Sequence, residues 1–63
     1  MKVKTFLNKL MLSSSIDSVC VVQDGYCKVE YDDADLRLED YGFWGGATVK
    51  TFQVLNRTLY INV

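Results

Sequence analysis

The chain has no histidine, no proline, only two cysteines and no long apolar run. Each absence excludes something. Without histidine there is no imidazole general base and no Ser-His or Cys-His nucleophile pair. Zinc sites that draw on histidine go too, and two cysteines fall short of a structural zinc set. No apolar stretch approaches the ~18 residues that cross a bilayer. Asn8 and Lys9 interrupt the start of the chain, "MKVKTFLNKLMLSSS", and no A-x-A-like site follows, so a signal peptide is not expected. The absence of proline and of repeats leaves no candidate linker. Residues 1–63 are read as one domain.

What is present is globular: 49% hydrophobic and 24% charged residues. A chain of this length buries only about 60% of the surface its unfolded form exposes. Its core is worth about 3–5 kcal/mol, a shortfall that self-association can offset. Net charge is −1, unevenly spread. All eight acidic residues fall between Asp17 and Asp40, opposed there only by Lys28 and Arg37, a net −6. The remaining five basic residues, Lys2, Lys4, Lys9, Lys50 and Arg57, lie outside that stretch. Such asymmetry can steer a partner.

Over residues 2–12, Val3, Phe6, Leu7, Leu10 and Met11 recur at helical spacing, with lysines on the opposite face. This predicts an amphipathic helix that packs on a sheet rather than on a membrane. "SVCVVQDGYCKVEY" (18–31) predicts a hairpin, because Asp24-Gly25 suits a type I′ turn. In a regular register Gln23 pairs with Tyr26, Val22 with Cys27, Val21 with Lys28 and Cys20 with Val29. The expected core face is then Cys20, Val22, Cys27, Val29 and Tyr31. The two cysteines stand diagonal, at a separation of about 7–8 Å typical of such neighbours. They are expected to be free buried thiols, consistent with a cytoplasmic location.

"VKTFQVLNRTLYINV" (49–63) predicts a second hairpin, turning either at Asn56-Arg57 or, because arginine suits the second position of a type I′ turn poorly, through a longer loop. In the two-residue register Phe52, Val54, Leu59, Ile61 and Val63 share its inner face. Between the hairpins, "ADLRLED" fits either a short strand or one helical turn capped by Asp32 or Asp33. The expected fold is α+β: an N-terminal amphipathic helix packed on a small antiparallel sheet of two β-hairpins, four to five strands in all.

No catalytic or metal site and no cofactor is expected. The acidic run lacks the spacing and glycine of an EF-hand loop, and "GFWGG" lacks the phosphate-loop pattern. Aromatics preceded by acids disfavour nucleic-acid binding. The sequon Asn56-Arg57-Thr58 carries no meaning in a cytoplasmic protein. The candidate interaction site is "DYGFWGGATV" (40–49): Tyr41, Phe43 and Trp44 among glycines, with Tyr41 expected to be the most exposed ring. The acids before it, Asp32, Asp33, Asp35, Glu39 and Asp40, suit a partner with a basic surface. The alternative is that Phe43 and Trp44 tuck under the sheet and plug the core.

The helix "VKTFLNKL", the D-G hairpin and the closing strand "TLYINV" together resemble short accessory proteins encoded by phages and prophages of Gram-positive bacteria. The resemblance spans most of the chain and is one of layout; the "GFWGG" loop departs from it. It implies no catalytic residues. It implies a non-enzymatic protein of the bacterial host's cytoplasm that binds a host defence protein, since some small phage proteins inhibit CRISPR nucleases or signalling-nucleotide systems, some with acidic surfaces that imitate nucleic acid. Alternatives are an oligomeric sponge for a small molecule or signalling nucleotide, and a structural subunit.

Overall fold

A computed structural model describes residues 1–10, 16–32, 36 and 41–63. Helix α1 (Val3–Leu10) is followed by strands β1 (Ser18–Gln23), β2 (Tyr26–Tyr31), β3 (Thr51–Leu55) and β4 (Thr58–Asn62), with a 3-10 turn at Gly42–Gly46 between the hairpins. An N-terminal helix on a small sheet is the α+β architecture that the patterning predicts. Met11 and Leu12 of the expected helix lie outside the described residues.

Both hairpins are antiparallel with two-residue turns, and all four turn residues have positive φ: 55° and 81° at Asp24-Gly25, 49° and 66° at Asn56-Arg57. The hairpins join through a parallel pair, β1 with β4, so the sheet, of order β2-β1-β4-β3, is mixed and not antiparallel throughout as expected. Strands β1 and β4 thus occupy the centre, where a neighbour on each side shields them and their residues are the most buried of the sheet. Val19, Val21, Leu59 and Ile61 are buried on one face beneath Val3 and Leu7 of α1. Burying such side chains contributes about 1.5–3 kcal/mol each.

The first hairpin departs from the regular register. Val22 pairs with Cys27 as expected, but Val21 opposes Val29 and Cys20 opposes Glu30, with the irregularity between Val21 and Val22. Lys28 is the extra residue of a β-bulge. A one-residue slip moves every later side chain to the other face. Val29 and Tyr31 therefore join Val19 and Val21 in the core, while Cys20, Val22 and Cys27 face away. Cys20 and Cys27 are not free thiols but form a disulfide, with Cα atoms 6.1 Å apart. The bulge sharpens the local twist and brings this diagonal pair within disulfide reach. The support that free thiols lent to a reducing compartment is removed.

The second hairpin keeps its expected register, Phe52 opposite Ile61 and Val54 opposite Leu59. Leu59 and Ile61 are buried; Phe52 and Val54 remain 55% and 50% exposed. They share the inner face, yet β3 is an edge strand; the Phe6 ring of α1 meets Phe52 there, at 4.9 Å between centroids. Of the segment between the hairpins, Leu36 is helical and buried, its N–H donating to the Asp32 carbonyl at 3.0 Å. Asp33, Asp35, Glu39 and Asp40 lie outside the described residues. No helix among the described residues is long and apolar enough to cross a membrane.

Candidate functional site

The aromatic stretch is anchored at both ends. The Tyr31 hydroxyl donates to the Tyr41 carbonyl, and the two rings meet edge-on with centroids 5.3 Å apart. Tyr41 is 5% exposed. The expectation that Tyr41 is the most exposed ring is therefore corrected: its ring completes the core. Gly45 makes room for it, since a Cβ there would stand 3.1 Å from the Tyr41 Cβ and 3.6 Å from the Lys4 Cβ. Gly42, at φ 60°, takes the left-handed conformation that starts the turn. Beyond the turn, the Ala47 N–H donates to the Trp44 carbonyl at 3.1 Å and the Val3 N–H to the Ala47 carbonyl at 2.9 Å. The Val49 N–H reaches the Met1 carbonyl at 2.8 Å. The start of α1 and the exit of the turn thus hold one another.

On this frame Phe43 projects with 83% of its surface exposed, its ring edge-to-face with the half-buried Trp44 at 5.2 Å. The alternative that Phe43 and Trp44 plug the core is corrected too: Tyr41 fills that place, Trp44 packs against the core half-buried, and Phe43 stays in water. Asp32 is exposed where β2 ends, next to the Tyr31 that ties β2 to the turn. Whether the other four acids converge there falls outside the described residues.

Beside the turn, Lys2, Lys4 and Thr5 of the N-terminal segment face Tyr41, Gly42, Gly45 and Gly46 across an open groove of about 450 Å³. The Lys2 ammonium donates to the Thr48 hydroxyl at 3.4 Å. Two lysines among the residues that line it give this groove a positive character. The lysines were read from the sequence only as the outer face of a helix; their meeting with the glycines, 40 residues away, has no local signal. Comparison with family models, with curated proteins and with solved structures returned no match.

Proposed function

We propose that the protein is a non-enzymatic interaction module whose Phe43-Trp44 turn docks on a protein partner. The observation that carries this is the exposure of Phe43 on a turn fixed by hydrogen bonds at both ends. A large apolar ring held rigidly in water loses little conformational freedom on binding, and aromatic side chains dominate interface energetics. The acidic run Asp32, Asp33, Asp35, Glu39 and Asp40 leads into this turn, and we assign it the role of steering toward a basic surface. In line with the layout shared with phage accessory proteins, a host defence protein is the partner class we favour. The test is capture from a bacterial lysate with wild-type protein beside Phe43→Ser, followed by affinity measurement on the captured partner. Loss of at least about tenfold in affinity with Phe43→Ser, about 1.4 kcal/mol, supports the proposal. Equal binding by a folded Phe43→Ser protein overturns it. Replacing Asp32, Asp33 and Asp35 by asparagine is expected to slow association and flatten its salt dependence, measured by stopped flow; unchanged kinetics would remove the steering role.

The Lys2–Lys4–glycine groove favours a second reading, a small anionic ligand such as a signalling nucleotide. A ligand-dependent rise in melting temperature in a nucleotide screen supports it. No shift with wild type removes it.

A further inference from the structure

The two edges of the sheet differ in kind. Edge strands carry unpaired N–H and C=O groups and invite another strand unless charge or irregularity blocks it. The β2 edge has both safeguards: Lys28, Glu30 and the bulge. The β3 edge has neither. Its sequence, Thr51-Phe52-Gln53-Val54-Leu55, has no charge, all five residues are exposed, and among the described residues no strand lies beyond it. Phe52, Val54 and Leu55 are each at least half exposed.

The outer hydrogen-bonding groups can be assigned. The two-residue turn at Asn56-Arg57 makes Leu55 and Thr58 a hydrogen-bonded pair. Pairs then alternate, so Leu55 and Gln53 spend their backbone groups on β4. Phe52 and Val54 direct theirs away from the sheet.

We propose that β3 pairs antiparallel with β3 of a second copy of this chain, about a two-fold axis at Gln53, joining two four-stranded sheets into one. Three features of the strand fit this occupant. Centring on Gln53 sets Phe52 opposite Val54 of the second copy, and Val54 opposite its Phe52, so the two residues with free backbone groups meet as hydrogen-bonded pairs. The same register places Phe52 against Val54 on the face that carries the helix, covering two half-exposed apolar side chains at once. No charge opposes its like, because Lys50 falls opposite Asn56 and Arg57 opposite Val49. The two-fold axis also sets both Phe6–Phe52 ring pairs on one face, flanking the junction. The pairing closes at two copies, since the edges left free are the guarded β2 strands. It covers apolar surface that a chain of this size cannot bury alone.

The mass in solution is measured by sedimentation across a concentration series, with Val54→Lys beside wild type and folding checked by circular dichroism. The expected result is a wild-type dimer and a folded Val54→Lys variant whose dimer is weaker on the order of tenfold or more, because the ammonium must lose hydration at the junction. Register is tested separately by oxidising Gln53→Cys and Thr51→Cys with diamide and running non-reducing gels. Across the axis, position 53 faces its own copy at about 4.5 Å between Cα atoms, within disulfide reach. Position 51 is then about 14 Å from its counterpart. Rapid cross-linking of Gln53→Cys alone supports the proposal. A wild-type protein that stays monomeric to about 1 mM, a dimer indifferent to Val54→Lys, an open-ended polymer, or equal cross-linking at both positions overturns it.

Discussion

Arg57 shows how one residue reconciles two demands. Its φ of 66° lies in the left-handed region, where a side chain costs roughly 1–2 kcal/mol. Arginine stands there with its guanidinium bonded to both carboxylate oxygens of Asp17, at 2.7 and 3.0 Å. Its carbonyl also accepts the Asp17 N–H at 2.8 Å. The pair ties the entrance of β1 to the β3–β4 turn. Arg57→Gly is therefore expected to stabilise by about 1 kcal/mol in an Asp17→Asn background and by less in wild type, as measured by urea unfolding. The hydrogen bond and charge of Arg57 hold the Asp17 carboxyl below its ordinary value of 3.8. A lowered carboxylate pKa contributes stability that is present above the unfolded value and is lost as pH falls through the folded one. The difference between the two backgrounds should shrink as pH falls below 3.8 and vanish in strong acid. A difference that persists unchanged to about pH 2 would show that the ion pair is not its cause. Gly45 and Gly46 make a second contrast. Gly45→Ala is expected to cost about 1–3 kcal/mol because its methyl group meets Tyr41 and Lys4, whereas Gly46 has open space and its alanine variant should unfold like wild type.

At the scale of elements, the first hairpin depends on its bulge and its disulfide together. The bulge turns Val29 and Tyr31 inward and leaves Cys20 and Cys27 joined on the opposite face. The bridge closes a short loop, with a separation of seven residues. Closing a loop of that size restricts the unfolded chain by about 2.5 kcal/mol. Reduction, or the Cys20→Ala/Cys27→Ala variant, should lower the melting temperature on the order of 10 °C for so small a domain. Calorimetry with and without reductant checks this; an unchanged melting temperature would mean that the bridge constrains nothing the turn does not already fix. The second hairpin has no bulge, and its expected register holds along its whole length.

At the scale of the whole molecule, α1 lies on one face of a four-stranded sheet, and the coverage is uneven. The centre of that face is sealed by α1, Leu36 and Tyr41, while the β3 margin and the Phe43 tip stay open to water. These two open places lie on separate elements, which allows self-association and partner binding to be tested apart. Val54→Lys is expected to alter the sedimenting mass and leave a partner held through Phe43 in place. Phe43→Ser should do the reverse, and a variant of either kind that moved both readouts would mean that the two surfaces are one.

What could be read in the chain was local. The three- and four-residue spacing of Val3, Phe6, Leu7 and Leu10 made α1, and positive-φ dipeptides made both turns. Alternation of Leu59 and Ile61 set the inner face of β4. These features depend on neighbours within a few residues, so the sequence by itself determined them. The bulge at Lys28 left no such mark, and with it went the face of the first hairpin and the bonding of its cysteines. The parallel union of β1 with β4 was equally silent, because it pairs segments 40 residues apart. That union made β3 an edge and left Phe52 and Val54 uncovered although their pattern is that of a core. Tyr41, Phe43 and Trp44 are alike in sequence terms; the hydrogen bond from Tyr31 and the gap at Gly45 chose which ring is buried. Only the tertiary structure decided these points, since each turns on which distant backbone comes close enough to exclude water.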